Sequence, residues 1–323
     1  MDKKELRQLK PELEMYLQRY APRFGRPENH LHAGRFVQGL LAGEDRRSAE
    51  NIAESVAGGV VRTTQLFLSQ AAWEGAEVLE ELRAHVGEVL GDPEGLINAD
   101  ETGFPKKGTK SVGVQRQYSG TMGRVDNCQI GVFLNYCSPR GHVLLDRRIF
   151  LPEVWMADPA RCAAAGVPAG VIFRSKPELA MEMIQDASLA GLPFRWVGGD
   201  TVYGNSPTFV QGVRALQKLY VLDVSSESRV WLSPPPRSAS TGRRGKARLP
   251  KPMTVLEALA TLGDKTWKRI TVSEGSQGPI VYEYAELVVW FSEEGNPAPE
   301  AERLLIRRSL AVRTRRCRKA GLP

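Results

Sequence analysis

The chain has 323 residues, 42% of them hydrophobic and 25% charged, and a net charge of +7. This is the composition of an ordinary soluble globular protein with material for roughly two domains. No apolar run approaches the about 18 residues a membrane span needs, and the opening MDKKELRQLKPELEMYLQRY lacks the apolar centre of a signal peptide, so a cytoplasmic protein is expected.

Residues 1–91 read as helices. KKELRQLKPELEMYLQRYAPRF, HAGRFVQGLLAG, RSAENIAESVA, VRTTQLFLSQ and AAWEGAEVLEELRAHVGEVL all place apolar residues three and four apart. Within them, SAENIAESVAGGVVRTTQLFLSQ gives a helix, a Gly58-Gly59 break and a second short helix, the order of a helix-turn-helix. Arg62 and Gln65 on that second helix then either read DNA bases or stand on an ordinary helical hairpin.

After GDPEG the pattern changes to strands. GLINAD (95–100) is a first strand ending on Asp100, with Glu101 after it and Pro105 and Gly108 closing a loop. SVGVQRQY, NCQIGVFLNY and HVLLDRRIFL continue an antiparallel meander. PELAMEMIQDASLAG, FRWVGGD, SPTFVQGVRALQK and LYVLDVS then alternate helix and strand with the spacing of parallel pairing. This is the order of the ribonuclease H-like fold over residues 92–224, an α+β and α/β mixture. In that order the strands ending on Asp100 and Asp200 are neighbours, which predicts two convergent carboxylates, a site for Mg²⁺ or Mn²⁺. Lys106 and Lys107, just past Asp100, are candidates for contact with scissile phosphates or for a solvated loop.

Charge is concentrated. Residues 237–251 (Arg237, Arg243, Arg244, Lys246, Arg248, Lys251) and 303–319 hold 14 basic residues and no acid, so +7 less 14 leaves −7 for the rest. Two such runs are the footprint expected for double-stranded DNA, or else a solvated loop and tail. Cys128, Cys137, Cys162 and Cys317 form no C-x-x-C pair, and the four histidines are not spaced against them as zinc ligands.

The stretches RYAPRFGRPENHLHAGRFVQGLLAGEDRRSAENIAE, DETGFPKKGTKSVGVQRQYSGTMGRVDNCQIGVFLNY and GGDTVYGN resemble bacterial DDE-type insertion-sequence transposases of the insertion sequence 701 group. The resemblance implies metal-dependent cleavage and strand transfer at element ends, on double-stranded DNA in the bacterial nucleoid, by an enzyme that could work as a homodimer. It matches the first two acids of the family triad to Asp100 and Asp200. It also implies a β-rich insertion at 225–310 and, beyond it, a closing helix with the third acid, a glutamate. Here VRTRRCRKAGLP follows instead, so a truncated chain with a basic tail at 311–323 is expected. Glu283, Glu286, Glu293, Glu294, Glu300 and Glu302 fall on expected strands or a loop. The corresponding alternative is a non-catalytic DNA-binding remnant.

Overall fold

The computed structural model describes residues 3–42, 46–235, 249–276, 278–293, 295–309 and 315–320. The chain divides into two compact units, Met1–His85 and Val86–Pro323. The boundary falls within a helix, a few residues before the expected division at 91.

The first unit holds α1 (Lys3–Tyr20), α2 (Pro27–Leu41), α3 (Ala49–Glu54), α4 (Val61–Gln70) and the start of α5 (Gly75–Val89). Tyr20, Phe24 and Phe67 form its core with Phe36, Val78 and Leu82 packed against them. Ser48 caps α3 by accepting the Asn51 amide, which satisfies one of the free N–H groups of the first turn. Gly58, at φ +71°, turns the chain towards α4 in a conformation that glycine adopts at little cost.

The second unit opens with β1 (Leu96–Pro105), β2 (Gln115–Ser119), β3 (Arg124–Ser138) and β4 (Gly141–Ile149). Two short helices follow, α6 (Glu153–Met156) and α7 (Pro159–Ala164), then α8 (Lys176–Leu189), β5 (Trp196–Gly199), α9 (Thr201–Gly204), α10 (Pro207–Ala215) and β6 (Leu219–Asp223). The remainder is β7 (Arg229–Trp231), β8 (Met253–Thr254), α11 (Val255–Ala260), β9 (Lys268–Gly275), β10 (Gly278–Glu293), β11 (Asn296–Pro297), β12 (Glu302–Ser309) and β13 (Arg315–Ala320).

Among the described residues the strand order is β2-β3-β1-β5-β6-β13-β12-β10-β7-β8, with β4 on β3 and with β9 and β11 on β10. β1 pairs antiparallel with β3 and parallel with β5, and β5 pairs parallel with β6. One face of this sheet is apolar and closed: Ile97, Ala99, Val132, Leu134, Tyr136, Val197 and Leu222 are essentially inaccessible. Their alternation with Asn98, Asp100 and Gly198 is the period-two pattern of a sheet with one covered face. α8 lies against β3 and β4 on the covered side and buries Leu179, Ala180, Met183, Ile184 and Ala187. The Ser175–Glu178 capping box starts it, two reciprocal bonds that fix where the helix begins.

The region after β6 has its own core of Val230, Val255, Ala258, Leu259, Val289, Phe291, Leu304 and Ile306. It joins the first sheet through β13, which pairs with both β12 and β6. Residues 315–320, expected as part of a basic tail, therefore have strand backbone. Arg237, Arg243, Arg244, Lys246, Arg248 and Glu294 lie outside the described residues.

Candidate active site

Asp100 stands where the sheet changes partners. The β1–β5 ladder stops at the Ala99–Gly199 pair, while β1 continues against β3 to the Pro105–Cys128 pair. The strand therefore runs past Asp100 instead of ending on it, a correction to the expected end at residue 100. Loss of the parallel neighbour at that point leaves a notch in which the Asp100 carboxylate keeps water access. Asp200 is the residue after β5, and as N-cap of α9 its Oδ1 accepts the Val202 amide at 2.9 Å. α9 packs tightly on β6 because residue 204 is glycine: a Cβ there would lie 1.9 Å from the Asp223 carbonyl oxygen.

Glu101 alternates to the opposite side of β1, towards the helices. Lys176 Nζ donates to its Oε1 at 2.7 Å, and the buried Tyr203 hydroxyl donates to its Oε2 at 3.4 Å. Lys176 opens α8, where a positive charge opposes the helix dipole, so the carboxylate it meets offsets an otherwise unfavourable position. Oxygens of Asp100, Glu101 and Asp200 all fall within 4.8 Å of one another. They sit beside an open cleft of about 520 Å³ lined by Asn98, Asp100, Gly198, Asp200, Val221 and Asp223.

The electrostatics follow from this crowding. Partial burial at the cleft floor raises the Asp200 pKa first, and Glu101, Asp100 and Asp223 raise it further, against the opposing Val202 N–H. Burial and the same carboxylates push the Tyr203 hydroxyl upwards, so it stays protonated and remains a donor. Three hard oxygen donors at this spacing fit a divalent cation such as Mg²⁺ or Mn²⁺.

A family model described as DDE superfamily endonuclease matches residues 19–279. The chain belongs to that family. A curated relative, a probable transposase for insertion sequence element IS701 from Microchaete diplosiphon, is 28% identical over 209 residues, which cover 64% of this chain and 50% of the relative. The chain spans about half the length of that relative. Among solved structures, the NurA nuclease from Sulfolobus solfataricus matches at a TM-score of 0.29 and 13% identity, over 77% of this chain and 76% of that one. At that score the likeness carries no weight.

Within this DDE family member, the expected pair Asp100 and Asp200 comes together, and Glu101, for which no role was expected, joins it. Lys176 was equally hidden, since it arrives from a helix 75 residues away. Lys106 and Lys107 are not at the carboxylates: six and seven residues of extended chain past Asp100 correspond to about 20 Å. Lys107 and Lys251 are exposed, whereas Lys106 is half-buried and its amide bonds the Asn127 carbonyl. Arg62 and Gln65 are both exposed, one turn apart on α4.

Of the glutamates after β6, Glu283, Glu286 and Glu302 are engaged elsewhere. Glu283 pairs with Arg269 and Arg308, and Glu286 with Arg303. Glu302 is 1% exposed, accepts the Tyr220 hydroxyl at 3.0 Å and lies 3.1 Å from Arg214. Tyr220 alternates with the cleft-lining Val221 and Asp223, so it stands on the face of the sheet opposite the cleft that Asp100 and Asp200 line. Among the described residues, no candidate metal cluster besides Asp100, Glu101 and Asp200 is present, and no helix is long and apolar enough to cross a membrane.

Proposed function

We propose that the chain acts on double-stranded DNA as a DDE-type transposase, with Asp100 and Asp200 as the catalytic metal-binding acids of a ribonuclease H-like core. The convergence of Asp100, Asp200 and Glu101 at one notch of the sheet carries this reading. A parallel β1-β5-β6 set beside the antiparallel β1-β3-β4 set supports the ribonuclease H-like assignment. The functional division is a DNA-reading helical region at 1–91, the core at 92–224, the insertion at 225–310 and the basic segment at 311–323.

Divalent ions held there would activate the attacking water or 3′-hydroxyl and stabilise the leaving oxygen. Asp100 supplies the exposed carboxylate nearest an incoming strand. Asp200, fixed by its cap bond to Val202, supplies a second oxygen whose position does not drift. Lys176 and Tyr203 hold Glu101 at the rim and limit how far it swings. Arg62 and Gln65 would meet base edges, and the basic segments, with Lys107 and Lys251, the phosphates.

A second reading, DNA binding without cleavage, is favoured by one observation: both Glu101 oxygens already have side-chain partners, Lys176 and Tyr203, whereas Asp100 and Asp200 each accept one backbone amide and keep a second oxygen for a metal. Incubating the purified chain with supercoiled plasmid in Mg²⁺ or Mn²⁺ tests both. Slow metal-dependent nicking that disappears in Asp100→Ala and Asp200→Ala, with duplex binding kept, is the expected result. Binding without any nicking selects the second reading, and nicking that survives both substitutions removes the assignment of the acids.

A further inference from the structure

Directly across the ladder from Asp100 is Phe133 on β3, and across from Phe133 is Arg147 on β4. Opposed residues in a ladder share a face, so a carboxylate, an aromatic ring and a guanidinium form one row beside the metal site, at steps of about 5 Å. Phe104, 41% exposed, joins Phe133 edge-on at 6.2 Å between centroids. Between them is Gly131: a Cβ there would lie 2.7 Å from the Phe133 ring and 3.4 Å from Phe104, so a glycine lets both rings lie down on the sheet. Ile149, opposite Gly131 on β4, is 50% exposed and extends the surface. The Arg147 side chain is 56% exposed and only 3.7 Å from Asp146, whose nearer partner is Arg148 at 2.7 Å.

The exposed Phe104 ring and the half-buried Phe133 ring lie on the face away from the core, beside the carboxylates. Unpaired bases stack on such rings whatever their identity, and phosphates are drawn to a neighbouring guanidinium. We propose that Phe104 and Phe133 form a stacking platform for an unpaired base of the DNA strand whose phosphate approaches Asp100, with Arg147 taking an adjacent phosphate. The occupant is single-stranded DNA because the platform is continuous with the carboxylate notch on one side and the largely exposed Arg147 guanidinium on the other. The inference rests on the reading of Asp100 as the acid that meets the strand. It adds to that reading a requirement for local unpairing, which a duplex supplies only at a frayed or distorted end.

The test measures binding of fluorescein-labelled oligo(dT) and of a blunt duplex to the full chain by anisotropy, in EDTA so that no metal chemistry contributes. Phe133→Ala and the volume-keeping Phe133→Leu are expected to weaken oligo(dT) binding about tenfold or more, while Phe133→Tyr stays within about twofold and duplex binding is unchanged. Phe104→Ala, at a more exposed position, shows a smaller loss of the same kind, and melting curves establish that each variant is folded. Wild-type affinity in Phe133→Leu would overturn the platform, because apolar contact alone would then suffice. A parallel loss of duplex binding would also overturn it, as would conversion of a wild-type dimer to a monomer in Phe133→Ala by light scattering, which would assign the face to a second copy. Asp100→Ala separates the readings: oligo(dT) binding retained in EDTA, with plasmid nicking lost in Mg²⁺ or Mn²⁺, supports both. Phe133-dependent binding with no nicking in the wild type leaves the platform standing and removes the catalytic assignment.

Discussion

Replacing Asp200 with asparagine isolates the charge at the cleft, because asparagine can still accept the Val202 amide and cap α9 as aspartate does. Oxygens of Asp200 and Asp100 are within 4.8 Å, at which like charges repel by about 1 kcal/mol in water and about 3.5 kcal/mol at an effective dielectric near 20. Both groups keep water access, so the lower figure applies, and Glu101, with Lys176 beside it, acts on Asp200 in the same direction. Without metal, Asp200→Asn should stabilise the chain by about 1 kcal/mol, or about 2–4 °C in Tm for a unit the size of Val86–Pro323.

The pH dependence has a fixed sign. Asp200 holds its proton more tightly folded than unfolded, so its contribution favours folding below the ordinary carboxylate range and is lost as pH rises through the raised value. The advantage of the variant therefore appears above that value and vanishes in acid. Thermal melts in EDTA across pH, repeated with Mn²⁺, make the measurement. Mn²⁺ should raise the wild-type Tm and do much less for the variant. A variant less stable than wild type at neutral pH, or one stabilised equally by Mn²⁺, would refute the reasoning.

Lys176→Met should lower the metal-free Tm by leaving Glu101 without its cation, yet tighten Mn²⁺ binding by calorimetry, since one positive charge leaves the site; weaker binding would show that Lys176 mainly orients Glu101. Glu302→Ala removes a buried acid from Arg214 and Tyr220 and should cost about 3–5 kcal/mol in chemical denaturation, with DNA binding retained. Duplex affinity should fall steeply with salt, and neutralising Arg243, Arg244 and Lys246 should flatten the slope, whereas Arg62→Ala and Gln65→Ala should change sequence preference in a competition assay at constant salt.

The order of strands and helices from β1 to β6 was legible because each carries a strong local signal: alternating apolar residues in β3, the Ser175 box before α8, and Gly-Asp at the end of β5. Asp100 and Asp200 were visible for the same reason, as acids at the ends of apolar runs. Lys176 and Tyr203 were not, since nothing local marks a lysine or a tyrosine as the partner of a glutamate 75 or 102 residues away. The end of β1 was misjudged because Glu101 and Gly103 disfavour a strand, yet pairing with the long apolar β3 overrides that local preference. The platform was hidden as well: Phe104 and Phe133 are ordinary core residues by type, and only the register puts them on the open face.

β13 lies between β6 and β12, and hydrogen bonds on both of its sides make it an interior strand. Withdrawing Arg315–Ala320 would bare two rows of unpaired amides and carbonyls at once, one on β6 and one on β12. Exposed rows of that kind recruit other chains by strand addition. A version ending before residue 315 should therefore be prone to self-association even if every side chain around Asp100 and Asp200 kept its place, and its oligomers should grow with concentration in light scattering.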